Sequence, residues 1–240
     1  MKMSKSNLFE KYWSDKCSPM HRSEVPSFFL DKANEHLLYM KPGGILLDYG
    51  CGSGDITKFY SPYYEKVIGS DFSHSMLNVA IEKLKVNSIN NIEYVYADQK
   101  SIWEKIDTPL SGIALSGVVQ YFDYESLDLF IKKSFEYLLP GGFLALFDII
   151  HPSIYPLFVA KLMDGCEYKK EKYRKFIVFS RFLIKVLSNK INNRPPYGDM
   201  GYGHYPCQLK NIAESNMVNL KIINSMYYGY RYHAIFSIKE

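Results

Sequence analysis

Cysteine is scarce and carries no pattern. The four residues, at 17, 51, 166 and 207, form no CxxC pair. That argues against a zinc finger or ribbon and against a disulfide scaffold. A reducing, cytoplasmic compartment is the expected setting. No apolar run approaches the roughly 18 residues that a bilayer-spanning helix needs. The opening MKMSKSNLFEKYW lacks the apolar core of a signal peptide. No excess of one charge exists either: 29 Lys and Arg against 25 Asp and Glu leave +4, too mild for a nucleic-acid coat. Internal repeats and low-complexity tracts are also missing. What is plentiful is apolar: 47% of the 240 residues, with 21 Tyr. That is core enough for one α/β domain carrying an insertion.

The first 40 residues read as helical, with Phe9, Tyr12 and Trp13 on one face and a second helix after Pro26. KPGG stops that helix. From there short apolar strands alternate with helices. The strands are ILLDY (45–49), KVIGSD (66–71), IEYVYAD (92–98), LSGIALSGVV (110–119) and FLALFDII (143–150). Ser73 is placed to cap the helix after strand two, and Pro140-Gly141-Gly142 ends the helix before strand five. NLKIINSMYY and RYHAIFSIKE read as a closing hairpin turning near Gly229. The expected fold is therefore α/β: a doubly wound, mostly parallel seven-stranded sheet with a C-terminal antiparallel hairpin. Residues 151–205 break the rhythm and read as an inserted helical cap. Within them, 168–194 hold nine basic residues and one acidic one, a local +8 that leaves −4 for the rest. The expected organisation is a helical lid over 1–40, an α/β unit over 41–150 and 206–240, and the cap between.

The first strand runs into Asp48-Tyr-Gly50-Cys-Gly52-Ser-Gly54. Glycines there let backbone approach a ligand at the carboxyl end of the strand, beside a helix N-terminus. The dinucleotide fingerprint GxGxxG fails in both registers, since Asp55 or Thr57 takes the third glycine's place. Asp55 would also set a carboxylate beside a pyrophosphate. A cationic ligand is better tolerated, and an NAD-type oxidoreductase is disfavoured.

LLDYGCGSG resembles the first motif of class I S-adenosylmethionine-dependent methyltransferases, and the order of the later motifs agrees over roughly 25–150 and 206–240. The resemblance implies S-adenosylmethionine as cofactor, with Asp48, Gly50 and Gly52 in the glycine loop. It makes Asp71 the acid for the ribose hydroxyls, with Phe72 beside it and Met76 packing on the adenine. It sets Asp98 and Gln99 at the adenine amino group, and Ser116 and Gln120, from SGVVQYF, along the methionine and methyl end. Tyr12 and Trp13 would be lid aromatics. An acid some 20 residues past a glycine loop is independently a sensible ribose clamp. Plainer readings stand beside these: Asp48 and Asp71 as helix caps, Asp98 as a turn residue, Met76 as core filler.

Methyl transfer to a hydroxyl calls for a base, and His is the usual one. His151 follows strand five in DIIHP. His204 sits in GYGHYP, with Tyr202 in the same loop, and His21 lies near the N-terminal helices. RPPY at 194–197 mimics the tetrapeptide of nucleic-acid amino methyltransferases, but its first residue and its place are wrong. Ser116 and Gly117 cannot ligate a metal where catechol-type relatives do. The expected activity is metal-independent methylation of oxygen, less readily nitrogen, on a small anionic acceptor such as a sugar nucleotide or phosphorylated polysaccharide precursor. The basic cap would recognise its charge. No nucleic-acid partner and no transmembrane segment are expected, and the chain would be a monomer or homodimer. A non-catalytic cofactor-binding module is the competing reading.

Overall fold

Short apolar strands with helices between them can bury both sheet faces only when helices cover each side. The computed structural model, which describes residues 26–159 and 169–238, has this arrangement. Its strands are β1 (Ile45–Tyr49), β2 (Lys66–Asp71), β3 (Ile92–Tyr96), β4 (Leu110–Ser116), β5 (Leu138–Ile150), β6 (Asn219–Asn224) and β7 (Arg231–Ser237). They form one seven-stranded sheet in the order β3-β2-β1-β4-β5-β7-β6. The first five run parallel, and β7 is antiparallel to both β5 and β6. The doubly wound sheet with its reversed final hairpin is thus as expected.

The helices are α1 (Pro26–Leu37), α2 (Thr57–Tyr60), α3 (His74–Asn87), α4 (Tyr124–Tyr137), α5 (Tyr155–Val159), α6 (Lys169–Ile191) and α7 (Pro206–Ser215). Ser73 caps α3 by accepting from the Met76 amide, and Asp123 caps α4 through the Ser126 amide. One apolar layer gathers around Leu47, Ile113, Leu127, Ile131, Leu144 and Ile212. The other holds Ala33 of α1 against Leu46, Tyr60, Val67, Phe143 and Phe147.

Three elements differ from expectation, all at strand ends. β5 starts at Leu138, so the chain enters the sheet directly from α4 and runs through Pro140-Gly141-Gly142 as strand. β4 stops at Ser116, and a 3₁₀ turn over Val119–Tyr121 carries Gln120 outside the sheet. The helix after the glycine loop is a single turn. Residues 151–205 leave the sheet as expected, and their described part is mostly the long helix α6.

Strand β1 sits between β2 and β4, where the chain winds away in opposite directions. This switch point opens a crevice at the carboxyl ends of the strands. Farther along, the β5–β7 register shifts between Leu146 and Ile149, and Asp148 adopts φ +60° within the irregularity. Bulges of this kind re-aim a side chain, and here they serve the same edge of the sheet.

Candidate functional site

A cavity of about 440 Å³ lies over the switch point. It brings together Asp48, Gly50, Gly52, Asp71, Phe72, Met76, Asp98, Gln99, Ser116, Gln120 and Tyr202, every one a residue the sequence singled out. Tyr12, the remaining cofactor candidate, lies outside the described residues, as do Phe9, Trp13 and His21.

The glycine loop is held from two sides. The Gly50 and Cys51 amides donate to the Ser70 carbonyl at 2.7 and 2.9 Å, tying the loop to β2. From α3, Lys83 pairs with Asp55 at 2.6 Å and donates to the Ser53 carbonyl at 3.1 Å. The Asp55 carboxylate is thereby matched by a cation. Asp71 receives the Gly52 amide on one oxygen at 2.9 Å and the Ser73 amide on the other at 2.8 Å. It is both the anchor of the loop and the start of the α3 cap. Burial lifts its carboxyl above the ordinary range against the pull of those amides. Asp98 accepts from the Lys100 and Ser101 amides and the Ser101 hydroxyl through one oxygen. It therefore organises the turn after β3 while lining the cavity. Burial opposes its ionisation, but these hydrogen bonds prevail and hold its carboxyl low. Burial keeps Cys51 as the thiol.

Asp48 is the most perturbed acid of the loop. It is sealed beneath the loop, accepts from the Thr57 hydroxyl at 2.6 Å, and burial pushes its pKa to about 7. An unfolded Asp ionises near 3.9. Between those values the folded chain keeps a proton that the unfolded chain has lost, so stability falls as pH rises through that window. Above it the full penalty remains. Asp48→Asn keeps an acceptor for Thr57 and removes the ionisation. Without ligand, its melting temperature should match the wild type near pH 4.5 and exceed it by several degrees at pH 8. Equal destabilisation at both pH values would show that the carboxylate is not penalised there.

Neither His151 nor His204 lines the cavity. His204 is 2% exposed, with Nε2 against the Phe122 carbonyl at 3.1 Å and its own carbonyl taken by the Tyr232 hydroxyl. His151 accepts the Ser153 amide on Nδ1 at 3.2 Å and packs edge-on against Tyr205 and Tyr232. Burial lowers the pKa of each. Both secure chain turns beside the sheet edge. Tyr202 reaches the cavity because its amide donates to the Gln120 carbonyl at 2.8 Å.

The described part of the cap adds no cation to the cavity wall. Among the described residues of 151–205, Tyr202 alone lines the cavity. The cations that do line it are Lys32 of α1 and Arg231 at the start of β7, with Asp148 between them. These three were not picked out from sequence. The one signal was Asp148, a lone carboxylate inside FLALFDII, where burial demands a partner. Lys32 forms a short ion pair with Asp148. Burial alone would raise the Asp148 carboxyl, but Lys32, His36 and Arg231 outweigh it and hold it low. Asp48, Asp55, Asp71 and Asp98 thus line the cavity by β1, β2 and β3, and Asp123 follows β4, while Lys32, Asp148 and Arg231 meet by β5 and β7.

Residues 46–142 match the family model described as "Methyltransferase domain". Among curated proteins, the chain is 33% identical over 115 residues to the demethylmenaquinone methyltransferase of Lactococcus lactis subsp. lactis (strain IL1403), covering 45% of this chain and 43% of that protein. It is 34% identical over 128 residues to the ubiquinone/menaquinone biosynthesis C-methyltransferase UbiE of Vibrio cholerae serotype O1, covering 52% and 47%. The chain thus spans about half the length of the curated relatives it matches. Among solved structures, magnesium protoporphyrin IX methyltransferase (ChlM) from Synechocystis PCC 6803 with bound SAM aligns with TM-score 0.61 at 12% identity, covering 99% of each chain. A DhpI-SAM-HEP complex aligns with TM-score 0.64 at 14% identity, covering 98% of this chain and 99% of that one.

Proposed function

We infer that this chain, whose residues 46–142 match a methyltransferase-domain family model, transfers a methyl group from S-adenosylmethionine to an oxygen of a small anionic acceptor. The observation that supports this best is a cavity with four acids near β1 to β3 and, at its far end, two buried cations that share one carboxylate, Asp148. The cofactor, when bound, supplies a methyl group on a positively charged sulfur.

The residues present suit that group. A Cβ at Gly50 would come within 2.4 Å of Val118, so the loop backbone can approach a ligand only as glycine. Asp71 offers a carboxylate to two vicinal hydroxyls. Phe72 and Met76 give an apolar seat, and Asp98 and Gln99 line the edge beyond it. Asp48 adds negative charge beneath the loop when it ionises. The protein's task is to position the two reactants and exclude water.

Gln120 belongs to the acceptor side in this reading, because its side-chain oxygen accepts from Arg231 at 3.3 Å. No histidine among the described residues lines the cavity, and an acceptor oxygen that is already anionic needs no base. His151→Ala should therefore leave turnover within about twofold of wild type while cofactor affinity stays unchanged. A loss of tenfold or more in turnover alone would return His151 to the role of base. Arg181, Lys185, Lys190 and Arg194, the described basic residues of the cap, do not line the cavity. The anionic character of the acceptor rests on Lys32 and Arg231.

The reading is tested by titrating the chain with S-adenosylhomocysteine beside NAD, then screening small carboxylates and phosphate monoesters with methyl-labelled cofactor. Binding of NAD alone would overturn it. A second reading, methylation of carbon, draws support from the C-methyltransferases among the relatives. Alkaline hydrolysis separates the two: label on an ester oxygen is released as methanol, and label on carbon is retained.

A further inference from the structure

We propose that Arg231, flanked by Lys32, is an oxyanion-binding subsite that receives a carboxylate or phosphoryl group of the acceptor. The proposal rests on the methyltransferase reading for the word acceptor, but the subsite itself stands on charge and hydrogen-bond geometry.

Arg231 is 6% exposed, yet it lines the cavity. A guanidinium so deeply placed needs a carboxylate or a full set of acceptors. Arg231 has neither. Its Nη1 donates to the Asp148 carbonyl at 2.7 Å and its Nη2 to the Gln120 side-chain oxygen at 3.3 Å. Both acceptors are neutral. Its Nε–H is buried without a partner. Among the described residues no carboxylate lies within ion-pair distance of it, because Asp148 directs its carboxylate to Lys32.

The guanidinium is also held in place. Its centre lies 5.3 Å from the ring centroids of both Tyr228 and Tyr230. Lys32 Nζ lies 4.7 Å from the Tyr228 ring. The two cations therefore share one aromatic platform, and one carboxylate answers for both. Behind them the Asp148 amide donates to His233 Nδ1 at 3.1 Å, and His233 Nε2 meets Glu35 at 2.8 Å. That arrangement keeps the Glu35 carboxylate outside the cavity wall. What is missing at this corner is one anion with planar or tetrahedral oxygens. A bidentate guanidinium contact is the ordinary way to hold such a group. Acidic side chains line the cavity near β1 to β3, and Arg231 lies four strands from β2, roughly 19 Å at about 4.8 Å per strand. An acceptor anion is thus kept clear of those acids, and Asp148, the carboxylate beside the subsite, is matched by Lys32.

The subsite is tested on the full chain labelled with 15N-arginine, titrated with inorganic phosphate and, separately, with benzoate. Each titration is run with and without saturating S-adenosylhomocysteine. The sequence holds five arginines, and Arg231→Lys assigns the Nε–H resonance of interest. The expected result is a saturable shift of that resonance with one probe, and anion affinity at least tenfold weaker in Arg231→Lys with S-adenosylhomocysteine affinity kept within twofold. Response to phosphate alone assigns a phosphoryl group, and response to benzoate alone a carboxylate. No saturable shift with either probe, or shifts no larger than those of the other arginines, would overturn the proposal. Where Arg231→Lys fails to fold, lysine variants of the other four arginines assign the resonance by elimination, and the wild-type titration then decides the matter. Failure of S-adenosylhomocysteine to bind, with the Arg231 shift intact, would sink the methyltransferase reading and leave the subsite standing.

Discussion

Replacing Asp71 with alanine should weaken binding of S-adenosylhomocysteine at least a hundredfold. Hydrogen bonds to a charged group contribute about 1.5–3 kcal/mol each, and a carboxylate offered to two hydroxyls makes two of them. Every 1.4 kcal/mol is a factor of ten, so a hundredfold is the lower end. Stability should change little by comparison. The variant loses the anchors for the Gly52 and Ser73 amides, but it also sheds a buried carboxyl whose ionisation burial opposes. Calorimetric titration beside a thermal melt separates the two effects. Asp71→Asn, which keeps one acceptor oxygen, should fall between wild type and alanine. Undiminished binding in the alanine variant would remove Asp71 as the ribose clamp.

Gly50→Ala should damage both stability and ligand binding. The residue sits at φ +74°, and its new Cβ would lie 2.4 Å from Val118 Cγ2. The left-handed conformation alone costs about 1–2 kcal/mol for a residue with a Cβ, and overpacking adds about 1–3. The sum should appear as a drop of several degrees in melting temperature and a tenfold or greater loss of cofactor affinity, since the loop must move to relieve the contact. Val118→Ala in the same chain removes the overlapping methyl groups but not the backbone strain. The double variant should therefore recover part of the stability and not all of it. Full recovery would mean that strain is negligible, and none would mean that Val118 already yields.

The glycine loop and its acids were legible because their meaning is local. A strand, a turn and a helix N-terminus lie within a dozen residues, and an acid at the end of the next strand must face the same crevice in any parallel sheet. The same logic brought Met76, Gln99 and Ser116 to the cavity. It failed for His151, which also ends a strand. There β5 carries an irregularity at Asp148, and the chain beyond turns back so that His151 accepts from Ser153. It failed for His204 because a loop histidine followed by a helix can as easily satisfy a buried carbonyl as face a ligand. The cationic corner was out of reach for a different reason. Lys32, Asp148 and Arg231 meet across separations of 116 and 83 residues, and only the placing of β7 beside β5 unites them. No short-range spacing encodes that order. The basic run at 168–194 drew attention because charge clusters are visible in sequence, whereas buried single charges are not.

Helix α1 touches the sheet through two polar pins one turn apart. Lys32 engages Asp148, and Glu35 engages His233 and the Met226 amide at 2.8 and 2.6 Å. Residues three apart on a helix share a face, so both pins point the same way and work like the two teeth of a key. Sliding α1 by a turn, about 5.4 Å, would misalign both teeth at once, and rotating it would withdraw both. The helix therefore has no neighbouring resting position. It is either seated or released whole, with two buried polar groups left bare on each side of the gap. The helix is thus a fixed post at the cavity wall, to which it gives Phe28, Phe29 and Lys32.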